Sequence, residues 1–177
     1  LGASVTLVLG PTHYPLELNG LNVVRVVSAK EMLTTMQDYY PSSVLTICTA
    51  AVSDFVPKTT ADKKLKKTSM KGTMSIDLEE TPDILATLGK AKSIDQKLVG
   101  FALETNDGVG YAKEKLVKKN ADAIVLNTLS SSTGFESNTN AVDVFYKDGA
   151  QESFPLVDKS ILGQQLLNAL LNKFEWV

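Results

Sequence analysis

The stretch "VLTICTAAV", Val44 to Val52, carries no alternation of apolar and polar residues. A strand with one wet face alternates, whereas a parallel strand covered on both faces reads as a continuous apolar run. Working outward, "VTLVL" (Val5–Leu9) and "NVVRVV" (Asn22–Val27) read as strands before it, the first stopped by Gly10 and Pro11. "KLVGFALE" (Lys97–Glu104) and "ADAIVLN" (Ala121–Asn127) read as buried strands after it. Helical patterns lie between them. "SAKEMLTTMQDYY" opens on Ser28 with Glu31 three residues on, a capping box. "TPDILATLGKA" offers Thr81 as N-cap and Pro82 at the first helical position. "GVGYAKEKLVKKN" closes on Asn120, a residue that tolerates the left-handed conformation.

Strands alternating with helices predict an α/β fold, a doubly wound and mostly parallel Rossmann-like sheet with helices on both faces. A small antiparallel hairpin is expected in "AVDVFYKDGAQESFPL", turning at Asp148-Gly149, and "KSILGQQLLNALLNKF" reads as a terminal helix. "TMSIDLE" alternates as a strand does, and "TLSSSTGFESNTN" reads as a loop. No repeat or linker divides residues 1–177, so a single domain is expected, with a long loop or flap over about 54–72. Ligands of such sheets sit beyond the carboxyl ends of the strands. Asp54, Phe101 with Glu104, and Asn127 are predicted to fall at those ends.

Composition narrows the chemistry. With 177 residues and a net charge of −2, the chain suits one domain without the basic excess of a general nucleic-acid binder. No apolar run approaches the ~18 residues of a membrane span, and "LGASVTLVLGP" shows neither a basic leader nor a cleavage site. Cys48 is the single cysteine, which excludes an intrachain disulfide and fits a reducing, cytoplasmic setting; a packed core thiol is expected. His13 is the single histidine, expected on a surface loop, so a typical zinc site and a Ser–His–Asp triad are disfavoured, and no metal-ligating residue is assigned. Lys, Asp, Asn and backbone groups remain to do any chemistry.

Positive charge is local. Lys58, Lys63, Lys64, Lys66, Lys67 and Lys71 make six lysines in fourteen residues, with Asp62 the only acid among them. Such a run is either a solvated loop or a flap that folds over a polyphosphate, to which lysine presents a movable point charge. Lys115 and Lys119, four apart on a helix, repel each other by a few tenths of a kcal/mol, as a charged surface or as a grip on one anion. Glu114 and Lys118 make a favourable pair on the neighbouring face. Asp54 is a cap or turn residue, or a contact to sugar, metal or base. Phe101 is a core residue or a platform for a nucleotide. "TPDIL" presents backbone N–H groups at a helix start, which suits an anion or a base edge. Neither G-x-G-x-x-G nor a Walker lysine motif occurs.

In order along the chain, "GASVTLVLGP", "TAAVSDF", "KLKK", "TPDIL", "VGFALET", "YAKEKLVKKNADAIVLN", "GFESNTNAV" and "KSILGQQLL" resemble the phosphopantothenoylcysteine synthetase (phosphopantothenate–cysteine ligase) domain of bacterial coenzyme A biosynthesis. "AAVSDF" followed by a lysine ten residues after its Asp is the most specific pair. The resemblance implies a ligase that joins 4′-phosphopantothenate to L-cysteine through an acyl-nucleotide, with CTP as co-substrate and Mg²⁺. It implies Lys64 as the flap lysine that steadies phosphate charge. Ala50 and Asp54 would line the nucleotide site, and Pro82, Asp83, Ile84 and Leu85 would set backbone groups against the base. Phe101, Lys115 and Lys119 would complete the pocket. It also implies a homodimer, with flaps near the interface, and fusion to or action with a flavin-dependent decarboxylase; FMN itself is not expected on this chain.

Members of the family begin with a strand, a glycine- and serine-rich loop carrying an asparagine, and a helix. None of these is among these residues. Two other readings stand beside the ligase. One is a nucleotide-binding module without catalysis. The other is an unrelated doubly wound oxidoreductase, against which the absent glycine fingerprint counts.

Overall fold

The computed structural model of the chain describes residues 2–13, 19–66, 73–104, 108–128 and 137–176. In chain order the elements are β1 (Thr6–Leu9), β2 (Asn22–Arg25), α1 (Ala29–Tyr39), a 3₁₀ turn (Tyr40–Ser42), β3 (Leu45–Cys48), β4 (Phe55–Pro57), β5 (Leu78–Glu80), α2 (Ile84–Ala91), β6 (Lys97–Glu104), α3 (Gly108–Lys118), β7 (Ala123–Thr128), β8 (Thr139–Tyr146), β9 (Gln151–Asp158) and α4 (Lys159–Lys173). They group into two compact units, Leu1–Asp38 with Ala51–Ile84, and Tyr39–Ala50 with Leu85–Val177.

In the first unit β1 and β2 pair in parallel, Thr6 opposite Asn22 through Leu9 opposite Arg25. A variant of the capping box forms at the start of α1, its return bond made one residue before the cap. The Glu31 N–H donates to Ser28 Oγ at 3.1 Å, and the Glu31 carboxylate accepts from the Val27 N–H at 2.8 Å. The unit also contains a short antiparallel ribbon, β4 with β5, in which Phe55 faces Glu80 and Pro57 faces Leu78. This ribbon revises two expectations. Phe55–Pro57 is strand rather than loop, and of "TMSIDLE" only Leu78 and Glu79 belong to β5. His13 lies exposed, as expected.

The second unit holds a five-stranded sheet in the order β3-β6-β7-β8-β9. β3, β6 and β7 are mutually parallel, and β8 and β9 continue the sheet antiparallel. The hairpin is larger than the sequence suggested, because β8 alternates half-buried with buried positions and becomes an interior strand. Its turn uses Gly149 at φ +90°, where a side chain would be strained. β9 forms the edge, and Pro155 is tolerated there because an edge strand has a spare side without ladder bonds.

Side chains alternate to the two faces of this sheet. Val99, Ala123, Val125, Val142, Val144 and Tyr146 pack with Leu162, Leu166 and Leu170 of α4. On the other face Ala102, Ile124, Leu126 and Phe145 pack with Ala112 and Leu116 of α3 and with Leu85 of α2. The second unit is thus a mostly parallel sheet with helices on both sides, which is the fold class that the pattern predicted. Asp158 caps α4 by accepting from the Ser160 N–H at 2.8 Å. α3 ends as predicted: Asn120 stands at φ 49°, with the Asn120 and Ala121 N–H groups donating to the carbonyls of Val117 and Leu116.

Candidate functional site

β3 pairs with β6 only as far as Cys48 opposite Gly100, while β6 continues along β7 to Glu104 opposite Thr128. The second half of β6 therefore overhangs β3 at the carboxyl end of the parallel strands, where ligands of such sheets are bound. Lys115 of α3 reaches this overhang. Its stem is half-buried, and its Nζ donates to the Phe101 carbonyl oxygen at 3.5 Å. Ala50, exposed, lies two residues past the end of β3. Leu85 of α2 sits over Gly100, beside Phe101. The second unit thus brings Leu85 and Lys115 to neighbouring positions of β6, at Gly100 and at the Phe101 backbone.

Two expectations change. Phe101 is the fifth of the eight residues of β6, not its end, and its ring packs on the α4-side cluster. The structure brings Lys115 to the Phe101 backbone. Lys115 and Lys119 are half-buried rather than an exposed pair, because the lysine stems lie along the helix–sheet contact. The pair on the neighbouring face, Glu114 with Lys118, is present.

In the first unit Asp54 is exposed at the head of β4, and its carbonyl accepts from the Thr81 N–H at 2.9 Å. The Thr81 hydroxyl donates to the Ser53 carbonyl. Thr81 is therefore not the cap of α2: its groups extend the β4–β5 pairing by one step, and the helix starts at Ile84. This pairing sets Asp54 directly beside the turn that carries Pro82 and Asp83, both exposed. Lys63, Lys64 and Lys66 are exposed on the segment that joins β4 to β5. Lys67, Lys71 and most of the Gly/Ser/Asn-rich loop lie outside the described residues.

Asn127, expected at a ligand-facing strand end but given no role there, is the penultimate residue of β7. Among the described residues its buried Oδ1 meets no hydrogen-bond donor, and Asn127 stands opposite Leu103 of β6. The signal in sequence was an amide ending the otherwise apolar run "AIVLN". Cys48 is half-buried at the end of β3, and burial pushes its thiol up to about 11. Among the described residues no three His, Cys, Asp or Glu side chains gather as a metal site, and no helix is long and apolar enough to cross a membrane.

A mostly parallel sheet sheathed by helices, with a lysine at the overhanging end of β6, defines a Rossmann-like α/β protein. The chain belongs to the family described as DNA/pantothenate metabolism flavoprotein, C-terminal domain, whose model matches residues 1–174. It is 42% identical over 172 residues to a cysteine/cysteine sulfinic acid decarboxylase of an unknown prokaryotic organism, covering 97% of this chain and 47% of that protein. It is 40% identical over 171 residues to the coenzyme A biosynthesis bifunctional protein CoaBC of Vibrio cholerae, covering 96% of this chain and 42% of that one. The chain thus spans less than half the length of these relatives. Among solved structures, the C-terminal domain of a CoaBC protein superposes with a TM-score of 0.79 at 35% identity, over 99% of this chain and 77% of that one.

Proposed function

We propose that this chain is a phosphopantothenate–cysteine ligase of coenzyme A biosynthesis, a single synthetase domain built from both compact units. The carboxylate of 4′-phosphopantothenate attacks the α-phosphorus of CTP, and the bond to pyrophosphate breaks. The amino group of L-cysteine then attacks the acyl carbon of acyl-CMP, loses a proton and expels CMP. The observation that carries this reading is the match of nearly the whole chain to the C-terminal domain of a CoaBC protein and to 42% of the length of the Vibrio cholerae CoaBC. The geometry agrees with it, because a lysine at a strand overhang suits an anionic ligand.

In this reading Lys64 is catalytic, setting charge against the departing pyrophosphate. Ala50, Asp54, Pro82, Asp83, Ile84, Leu85, Phe101, Lys115 and Lys119 bind the nucleotide. Phe101 contributes through its carbonyl and its Lys115 contact, since its ring is packed in the core. Mg²⁺ arrives on the triphosphate. The cytoplasm supplies all three substrates, and a flavin-dependent decarboxylase supplies no group to this step.

The ribbon supports a homodimer. Phe55, Val56 and Leu78 of its strands are 53%, 40% and 56% exposed, and Met74 and Ile76 in the segment before β5 are 51% and 59% exposed. A two-stranded ribbon is marginal alone, and large apolar side chains left exposed on and beside it suit an interaction surface. A second copy is the occupant proposed.

The test supplies phosphopantothenate, CTP, Mg²⁺ and cysteine. Release of CMP that depends on cysteine is expected. Nucleotide binding without turnover would instead support a binding module, and turnover with ATP but not CTP would overturn the assignment of the base.

A further inference from the structure

Helix α2 is seated with unusually little clearance. A Cβ at Gly100 would stand 2.5 Å from Leu85 Cδ2 and 2.9 Å from Ile124 Cδ1. A Cβ at Gly89 would collide with the Lys119 carbonyl oxygen and lie 2.9 Å from its carbon. Neither glycine has a left-handed backbone, so each is needed for the close approach and not for a turn. The Lys119 carbonyl is backbone and cannot swing aside. Asn120, next in sequence, adds a polar tie: its Nδ2 donates to the Gly89 carbonyl at 2.8 Å, and its Oδ1 accepts from Lys147 Nζ at 2.9 Å.

These contacts fix one distance. Leu85 is held on β6 at Gly100, and Lys115 is held on β6 at the next residue, Phe101. Gly89 and Asn120 meanwhile hold α2 against the end of the helix that carries Lys115 and Lys119. We propose that Gly100, Gly89 and Asn120 are positioning residues for the nucleotide: they hold the backbone at Leu85 at a set spacing from Lys115. This rests on the nucleotide-site assignment made above. None of the three touches the ligand. A wider α2 seat would move the group that meets the base relative to the group that meets phosphate, and a displacement near 1 Å is enough to cost up to about 100-fold.

The experiment measures Mg²⁺–CTP and Mg²⁺–ATP affinity by calorimetry, well below each variant's melting temperature. Asn120→Gly keeps the left-handed turn and removes the tie to Gly89; about a threefold to tenfold loss for the preferred triphosphate is expected. Gly100→Ala should lose about tenfold or more. In both, the preference between cytidine and adenosine shrinks, which loss of stability in a folded variant would not produce. Gly100→Ala combined with Leu85→Ala removes the nearest colliding carbon, Leu85 Cδ2, while Ile124 Cδ1 remains, and should recover part of the affinity lost by Gly100→Ala. Unchanged affinity and base preference in folded Asn120→Gly and Gly100→Ala would overturn the inference and leave the ligase reading standing. A parent chain that binds neither triphosphate would overturn the ligase reading and the inference with it.

Discussion

Lys92 Nζ lies 2.7 Å from Asp122 Oδ2, with the two side chains only 7% and 12% exposed, and the same carboxylate oxygen accepts from the Leu98 N–H at 2.7 Å. One oxygen therefore joins the residue after α2, the start of β6 and the approach to β7. Removing one member of a buried pair costs about 3–5 kcal/mol, because the other charge is left without compensation. Lys92→Met is expected to lower unfolding free energy within that range. Asp122→Ala should cost more, since it strands both the ammonium and a buried backbone N–H. Urea unfolding followed by circular dichroism measures both, and equal, small losses would show that the pair is solvated.

Cys48 gives a pH prediction. Its thiol is pushed up from 9.0 to about 11 by burial. The folded chain therefore holds this proton more tightly than the unfolded chain. The resulting stability is full below pH 9 and is lost as pH rises toward 11. The same shift leaves about one thiol in a thousand as thiolate at pH 8. Iodoacetamide at pH 8 should modify the folded chain slowly and the urea-unfolded chain fast. Equal rates would mean that the thiol is open to solvent.

Local patterns were readable where local physics decides the outcome. "KLVGFALE" forms a strand over its whole length, Asn120 closes its helix in the left-handed region, and Gly149 makes the hairpin turn. Thr81 was misread because a threonine before a proline looks like a cap, yet its hydroxyl is taken by Ser53, 28 residues away. The tie of Lys92 to Asp122, across 30 residues, left no local mark either. The same holds for Gly89 and Gly100, whose meaning lies in the backbone and side chains that approach them. Of the proposed site, the sequence showed the residue types, and the structure sets Lys115 at the overhang of β6. Phe101 lies inside β6 and is also the first residue past the pairing with β3, a boundary set by the length of β3 and not visible in the sequence of β6.

Lys115→Ala separates the two roles of its ammonium. It loses the bond to the Phe101 carbonyl, which is long at 3.5 Å and partly exposed. That loss should cost about 0.5–1.5 kcal/mol of stability. Losing a charge-assisted contact to phosphate should cost nucleotide affinity more, about tenfold to a hundredfold. Lys115→Met keeps the apolar stem and should restore most of the stability but none of the affinity. Calorimetry with CTP and thermal unfolding distinguish the two, and Lys115→Met with parental affinity would remove this lysine from the site.

Lys64 is predicted to act in the activation step, before cysteine enters. It is exposed on the segment between β4 and β5, ten residues after Asp54, so its charge is free to approach a ligand from solvent. A cation contributes most where negative charge builds during reaction, here on the α-phosphate and the departing pyrophosphate. Losing one such contact typically costs about 10²–10³ in rate. Lys64→Gln should therefore depress phosphopantothenate-dependent exchange of labelled pyrophosphate into CTP, measured without cysteine, by that factor. Its melting temperature should barely move, because an exposed lysine makes few packing contacts. Lys63→Gln and Lys66→Gln serve as neighbours of the same charge and exposure. A general field effect would depress exchange alike in all three variants, because screening acts over about 10 Å in 0.1 M salt. A specific contact depresses it strongly in Lys64→Gln alone. Near-normal exchange in Lys64→Gln, or equal damage in its neighbours, would remove the specific role.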